Sequence, residues 1–178
     1  DSNSACASHS GGDNQAFFYI DGIPTKGLWV DIDQVIGMDE VEEILSEAFP
    51  ESEIDEILCA DVEGLAKIFY SSSCDYFSMS EWLEFKADRD RSDLSDEVIL
   101  AYADNFTSSA DVTIQNIEDS YMGEHDSDKD FAENFADDTG LLSDVPETVR
   151  YYFDFEAYWN CELRHDFWES KGHYFRNL

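Results

Sequence analysis

The chain has 178 residues, of which 43% are hydrophobic and 15% aromatic, and its 42 Asp and Glu against 10 Lys and Arg give a net charge of −32. The aromatic content predicts a folded core, because acidic segments that stay disordered contain few aromatic residues. The charge excludes direct binding to nucleic acid or to an anionic membrane, and it favours fast association with basic surfaces.

The ends of the chain and its cysteines give weaker predictions. Residues 1–15 are small, polar and Gly-containing, and we expect them to form a flexible leader. No apolar run approaches the ~18 residues that a membrane helix needs. The cysteines have no CxxC spacing, which favours reduced, buried thiols in the cytoplasm. They are Cys6, Cys59, Cys74 and Cys161.

The first third of the chain is predicted to form a β-β-α-β unit. Residues 16–32 contain aromatic and β-branched residues on both sides of a turn with Gly and Pro, which predicts two strands. Apolar residues at helical spacing predict a helix over about 39–49, with Asp39 as its N-cap and Pro50 ending it. Residues 56–62 are typical of a third strand.

The middle of the chain is predicted to be helical. Ser78 is the expected N-cap of one helix and Ser95 that of a second. Residues 88–91 (DRDR) are interpreted as a charged connector between them. A third helical pattern covers residues 111–121.

The last third is predicted to contain two helices and a hairpin. Ser127 is the expected N-cap of the first helix, Gly140 ends it, and Pro146 opens the second. Residues 161–177 alternate like a hairpin around a Ser-Lys-Gly turn. The side chains expected in the core from this part are Val149, Tyr151, Tyr152, Phe153 and Tyr158, with a share in a dimer interface as the alternative for the aromatic ones.

These elements predict an α+β fold, with small sheet-plus-helix modules at both ends and a helical middle. The expected boundaries place an N-terminal α/β module at 16–66, a helical module at 67–110 and a C-terminal α+β module at 111–178.

Two long stretches of the sequence contain acidic residues and no Lys or Arg. Residues 27–66 contain 13 acidic residues, and residues 92–128 contain ten. Like charges one helical turn apart destabilise a helix by a few tenths of a kcal/mol, so local stability is given up for a surface of one sign. The residues predicted to carry this surface are Asp31, Asp33, Glu40, Glu43, Glu47, Glu51, Glu53, Asp55, Glu56, Asp61, Glu63, Asp93, Asp96, Glu97, Asp104, Asp111, Glu118 and Asp119.

Two interpretations of this surface compete. One is a salt-adapted or merely very soluble protein. The other is a rigid array of carboxylates that imitates DNA phosphates and blocks the basic groove of a DNA-binding enzyme. The net charge of −32 equals that of roughly 16 base pairs of duplex DNA.

Motifs of catalysis are not found in the sequence. GxGxxG, P-loop, GxSxG and HExxH patterns do not occur, and the four His are dispersed, so we expect no catalytic residue, no cofactor and no metal.

Residues 126–130 (DSDKD) have the oxygen spacing of an EF-hand loop, with Asp137 at the twelfth position. However, Phe131 stands where that loop needs Gly, which favours a solvated helix N-terminus over a calcium site.

The C-terminal third resembles the ArdA antirestriction proteins. Residues 137–142 (DDTGLL), 145–147 (VPE) and 149–158 (VRYYFDFEAY) are similar to the family pattern E-x-G-L-L … I-P-E … L-x-x-Y-I-D-Y-E-A-Y. Residues 27–31 (GLWVD) and 56–63 (EILCADVE) resemble two strands of the family. The order and spacing of these segments fit nearly the whole chain from Ala16 to Tyr174.

The resemblance marks a set of family-motif positions with structural roles. The chain departs from the pattern at residues 159–161 (WNC), and its middle, about 69–116, does not align. These departures affect the choice of partner more than the fold. The motif positions are Trp29, Gly140, Leu141, Pro146, Tyr152, Asp154, Glu156, Ala157 and Tyr158.

The resemblance implies a function. Proteins of this family are elongated, three-domain, curved dimers carried by phages and mobile elements. They mimic bent B-form DNA and occupy the DNA groove of type I restriction–modification enzymes, on the specificity and methyltransferase subunits, in the cytoplasm of the bacterial host. They are neither enzymes nor cofactor-dependent. The residues themselves leave open another target, such as a CRISPR effector or a histone-like protein, and a calcium-responsive acidic protein.

Overall fold

The computed structural model describes residues 13–178, which form two compact units, one ending at Asp93 and the other spanning Leu94–Leu178. Each unit combines helices with small antiparallel sheets, which confirms the α+β fold. The division into three modules stays a prediction. None of the helices in residues 13–178 has both the length and the apolar character needed to cross a membrane.

The first unit is built on a three-stranded antiparallel sheet. Its strands are β1 (Gln15–Ile20), β2 (Ile23–Asp31) and β3 (Ile57–Glu63), in the order β2-β1-β3. Asp21 and Gly22 join β1 to β2, and both have positive φ (52° and 73°), as a tight hairpin turn with right-handed strand twist requires. The three predicted strands are therefore confirmed.

The predicted leader extends too far into the fold. Asn14 and Gln15 are buried, and β1 begins at Gln15. The side-chain oxygen of Asn14 accepts a hydrogen bond from the backbone N–H of Ala66 (3.1 Å), which fixes this end of the sheet. Residues 1–12 of the predicted leader, including Cys6, lie outside the described residues.

Helix α1 (Met38–Ala48) confirms the predicted helix, but its start differs from the prediction. Its N-cap is Gly37, and Asp39 lies within the first turn. The carboxylate there faces the positive end of the helix dipole, so the same acidic residue stabilises the helix from inside its first turn.

The rest of the first unit contains a short hairpin and a second helix. The hairpin pairs β4 (Tyr70–Ser71) with β5 (Tyr76–Phe77), and α2 (Met79–Asp90) follows with Ser78 at its N-cap position. Residues 88–90, predicted as a connector, form the last turn of α2. Arg89 lies in this last turn, where its positive charge interacts favourably with the negative end of the helix dipole.

Five helices lie in the second unit, and four of them begin where the sequence signals predicted or close to it. The last helix, which begins at Phe155, was not predicted. Ser95, Thr113 and Ser127 each accept a backbone N–H hydrogen bond at a helix start. The helix that Ser127 caps ends at Gly140, which has φ 68°. The helices are α3 (Asp96–Ala103), α4 (Ile114–Ser120), α5 (Asp128–Thr139), α6 (Glu147–Arg150) and α7 (Phe155–Cys161).

The sheet of the second unit has three strands, of which two were predicted. They are β6 (Tyr121–Glu124), β7 (Phe167–Ser170) and β8 (His173–Arg176), in the order β6-β8-β7. The hairpin turn is confirmed, but residues 161–166 complete α7 and form a 3₁₀ turn instead of strand. No alternating pattern marks β6, which is four residues long and pairs with β8 through only three of them.

The predicted core position is wrong for Val149, Tyr151 and Tyr152. Tyr151 and Tyr152 are 85% and 82% exposed, and Val149 is 56% exposed. Helix α6 has a single turn, and α5, α7 and the sheet fill the core without it. Phe153 and Tyr158 are half-buried. One core cluster of this unit consists of Phe131, Ala132, Trp159, Leu163, Phe167 and Tyr174.

The prediction of reduced, buried cysteines is correct only in part. Cys59, Cys74 and Cys161 are free thiols, as predicted. Cys59 is buried, and burial raises the pKa of its thiol to about 12. Cys74 and Cys161 are exposed, contrary to the prediction, because they lie in the β4–β5 turn and at the end of α7.

Candidate acidic interface

Carboxylates are distributed almost equally between the two units. Residues 13–93 contain 21 Asp and Glu against five Lys and Arg, and residues 94–178 contain 20 against five. Of the 18 residues predicted to form the acidic surface, 15 are exposed and three are half-buried.

Helix α1 carries a row of exposed carboxylates. Val41 and Leu45 are buried, so the opposite face turns to solvent. Residues four apart on this face are separated by about 6 Å along the axis, and no basic residue lies in the last turn. Two of these acids were not predicted as surface: Asp39, which was expected to be the N-cap, and Glu42. The exposed acidic residues of α1 are Asp39, Glu42, Glu43 and Glu47.

The loop after α1 continues this surface and is held in place. The carboxylate of Asp21 accepts hydrogen bonds from the backbone N–H groups of Asp55 (3.0 Å) and Glu56 (2.9 Å). The Lys26 ammonium donates to the hydroxyl of Ser52 (2.9 Å). The loop is therefore tied to the β1–β2 hairpin. Its four predicted surface residues are all exposed: Glu51, Glu53, Asp55 and Glu56.

Three predicted surface residues instead shape the local backbone. Asp31 accepts a hydrogen bond from the backbone N–H of Asp33 (3.0 Å). The Asp33 carboxylate accepts from the amide of Asn14 (3.1 Å) and lies 3.6 Å from the Lys86 ammonium. Glu40 accepts from the backbone N–H four residues before it (3.1 Å). All three are half-buried.

Strand β3 adds two exposed carboxylates, Asp61 and Glu63. The pairing register of β1 with β3 shifts between Phe17 and Phe18, and such a bulge turns the side chains around it. Asp61 also accepts a hydrogen bond from the N–H of the next residue (2.8 Å). The carboxylate is thus fixed by its own strand.

The remaining predicted surface residues all lie at exposed positions. In the second unit, Asp104 forms an ion pair with Lys171 (2.8 Å), and Asp119 accepts a hydrogen bond from Gln115 (2.9 Å). The residues are Asp93, Asp96, Glu97, Asp104, Asp111, Glu118 and Asp119.

Sequence reasoning missed the acidic residues of the last third as a surface, because Lys and Arg are interspersed there. Two of those cations are engaged inside the unit. The Arg150 Nε donates to the carbonyl of Val145 (3.0 Å), and the Arg176 guanidinium lies 5.8 Å from the ring centroid of Phe167. The excess of Asp and Glu over Lys and Arg in this third is the signal that could have predicted an acidic surface here. The exposed acidic residues are Glu124, Asp126, Asp128, Glu133, Asp137, Asp138, Asp144, Glu147, Asp154, Glu156, Glu162, Asp166 and Glu169.

The segment with EF-hand spacing begins a helix. Ser127 caps α5, and Asp128 accepts a hydrogen bond from the hydroxyl of Tyr174 (2.7 Å). Burial, together with this carboxylate, raises the pKa of Tyr174 above its ordinary value. Among residues 13–178, no group of three or more His, Cys, Asp or Glu is arranged to hold a metal ion.

The family-motif positions have mixed environments. Asp154 caps α7, because its carboxylate accepts a hydrogen bond from the backbone N–H of Ala157 (3.0 Å). Trp29 is half-buried, and the centroid of its ring lies 5.7 Å from that of Phe17. Pro146 is the N-cap of α6. Glu156 and Ala157 lie exposed on α7, and Tyr158 packs against the core. Leu141 and Tyr152 are exposed.

The model of one protein family, described as antirestriction protein (ArdA), matches residues 19–176. The chain belongs to the ArdA family. The match confirms the resemblance and includes the middle of the chain, which the motif comparison could not align. Proteins of the ArdA family are inhibitors of restriction enzymes rather than enzymes themselves. Comparison with curated proteins gives no match.

Proposed function

We propose that this ArdA protein inhibits type I restriction–modification enzymes by presenting carboxylates where the enzyme otherwise binds DNA phosphates. The family supplies the inhibition of restriction. The observation that carries the mechanism is the acidic row of α1 with the loop at 51–56. Its carboxylates are exposed, the segment contains no Lys or Arg, and the loop is anchored by backbone hydrogen bonds.

The physical basis is competition for a basic groove. An enzyme that binds DNA gains affinity by releasing counterions from phosphates, and that affinity falls steeply with salt. Carboxylates already fixed on helices and anchored loops lose little conformational entropy on binding. The net charge of −32 also steers the inhibitor towards the cationic surface.

A competition titration tests target and mechanism together. A labelled duplex bound to a type I methyltransferase, made of specificity and modification subunits, is displaced by the protein at two salt concentrations. A variant with Asn or Gln at six carboxylates should inhibit at least about tenfold more weakly, because each screened contact contributes ~0.2–1 kcal/mol. Its salt dependence should also be flatter. The six positions are Asp39, Glu42, Glu43, Glu47, Glu51 and Glu53.

The matched control exchanges Asp for Glu and Glu for Asp at the same six positions, which preserves the charge. This control should keep most of the inhibition. If the neutral variant inhibits as strongly as the wild type, the electrostatic mechanism is wrong. If the wild type leaves the duplex bound but captures another DNA-binding protein, such as a CRISPR effector, the proposed target is wrong.

We also propose that the protein acts as a homodimer. The exposed apolar side chains of residues 141–152 supply a surface for it, since such patches on soluble proteins mark interaction sites. They include Leu141 at 48% exposure together with Val149, Tyr151 and Tyr152. Changing Tyr151 and Tyr152 to Ser should convert dimer to monomer in sedimentation equilibrium. Tyr76→Ser, at a 59% exposed tyrosine of the first unit, should leave the mass unchanged.

A further inference from the structure

A shallow cavity of about 450 Å³, open to solvent, lies beside β2 and the first turns of α1. This volume falls within the range of small-ligand pockets, roughly 300–1,000 Å³. Its wall contains apolar and acidic side chains together with the uncharged Gln34. The apolar part comes from Trp29, Val35 and Ile44, and the acidic part from Asp31, Glu40 and Glu43.

Two of the three carboxylates are positioned by the backbone. Asp31 and Glu40 each accept a backbone N–H hydrogen bond, at 3.0 and 3.1 Å. Glu43 is exposed on the same face of α1. Within residues 13–178, the side chains that line the cavity include no Lys or Arg. The cavity therefore joins an indole, aliphatic side chains and three acids without a cation.

The second unit contains a groove that is also lined by aromatic and acidic side chains, and one of its lining residues is a cation. This groove, of about 410 Å³, is lined by Phe135, Phe167, Glu162 and Asp166. Arg176 also lines it, with its guanidinium 5.8 Å from the ring centroid of Phe167. In that groove a guanidinium group therefore lies beside an aromatic ring, and two acidic side chains line the same groove.

We propose that the cavity beside β2 and α1 receives an arginine side chain of the basic partner protein. This inference rests on the proposed function, since the partner is the enzyme whose groove the acidic surface enters. A guanidinium offers five N–H donors in a plane, which suits several carboxylate oxygens at once, and it is attracted to the face of an indole. The bound arginine would then add one specific contact to the long-range electrostatic attraction between the acidic surface and the partner.

The test compares two carboxylates on the same helix. Glu43 lines the cavity, whereas Glu47, one turn later, is exposed and does not line it. The changes Glu43→Gln and Glu47→Gln alter the net charge equally. A blocked Gly-Arg-Gly peptide is titrated against each variant, and the indole N–H resonance of Trp29 is followed by NMR. A peptide with citrulline, which is uncharged and similar in shape, is the ligand control.

The arginine peptide should shift the Trp29 resonance, and the citrulline peptide should not. Glu43→Gln should weaken peptide binding about tenfold, as expected for the loss of one charge-assisted hydrogen bond, and Glu47→Gln less than about twofold. In the competition assay with the methyltransferase, Glu43→Gln should again lose more inhibition than Glu47→Gln.

Equal effects of the two variants, or equal binding of both peptides, would overturn the arginine pocket. The proposed function would survive that result as long as the six-site neutral variant still loses inhibition. If the six-site variant keeps its inhibition, the proposed function itself fails.

Discussion

The helices of the two units begin in different ways. Four helices of the second unit have an N-cap side chain that accepts a hydrogen bond from a backbone N–H. The capping residues are Ser95, Thr113, Ser127 and Asp154. In the described part of the first unit, α1 and α2 begin at Gly37 and Ser78 without such a bond. The second unit thus specifies its helix starts locally, whereas the first relies on tertiary packing.

This difference bears on the acidic row of α1. The helix has no side-chain cap, and its exposed acids repel one another at i, i+4 spacing. Its stability therefore comes mainly from burying Val41 and Leu45 against the unit. The one-signed surface is built on a helix that would be weak in isolation, and the core beneath it is what keeps its carboxylates in place.

The largest expected effect concerns the aromatic core of the second unit. Phe131 is 2% exposed, and its ring lies 4.6 Å from that of Tyr174 and 5.2 Å from that of Phe167. Phe131→Ala should lower the free energy of unfolding by about 3–5 kcal/mol, because the truncation leaves a cavity. Urea unfolding measures this loss. Half-buried Phe135 is the control, and an equal loss for Phe135→Ala would contradict the central role of Phe131.

A smaller effect tests the contrast between helix starts. Ser127 Oγ accepts a hydrogen bond from the N–H of Asp130 (3.1 Å), so Ser127→Ala should lower the free energy of unfolding by about 1 kcal/mol. Ser78→Ala should cost less, since the Ser78 side chain makes no capping bond. Chemical unfolding of both variants checks the difference. Equal losses would show that the two units do not differ in how their helices are specified.

The smallest expected effect is confined to alkaline pH and concerns Tyr19 of the first unit. Its hydroxyl donates to the carboxylate of Asp75 (2.5 Å), and this hydrogen bond and burial raise the pKa of Tyr19 from 10.0 to about 12. The unfolded chain then loses the phenolic proton first. The stabilisation is complete below pH 10 and declines as the pH rises through about 12.

Unfolding midpoints measured across this alkaline range test that prediction. Tyr19→Phe should decline less steeply than the wild type, because one linked proton is removed. Tyr174, whose pKa is also raised, should still contribute its own decline. A variant curve parallel to the wild type would show that the Tyr19–Asp75 hydrogen bond is not linked to folding.

Local signals predicted much of the fold. Ser95 and Ser127 marked helix starts, Gly140 marked a helix end, and Asp21-Gly22 marked a hairpin. Such residues act through their own backbone or that of their neighbours, so their effect can be read without the tertiary structure. The exposure of most predicted surface acids also followed from the sequence, since unpaired carboxylates are costly to bury.

Other features were decided by packing between distant residues. Strand β6 forms only because β8 pairs with it, from about 50 residues later in the chain. Tyr151 and Tyr152 are exposed because other side chains fill the core, although their residue type favours burial. Asp31, an acid like its neighbours in sequence, lines a cavity with Trp29 and Glu43. The sequence by itself determined the charge, the family and where many of the helices and turns begin and end. The tertiary structure decided which aromatic residues are buried and which acids meet, because burial and proximity depend on contacts that no local pattern encodes.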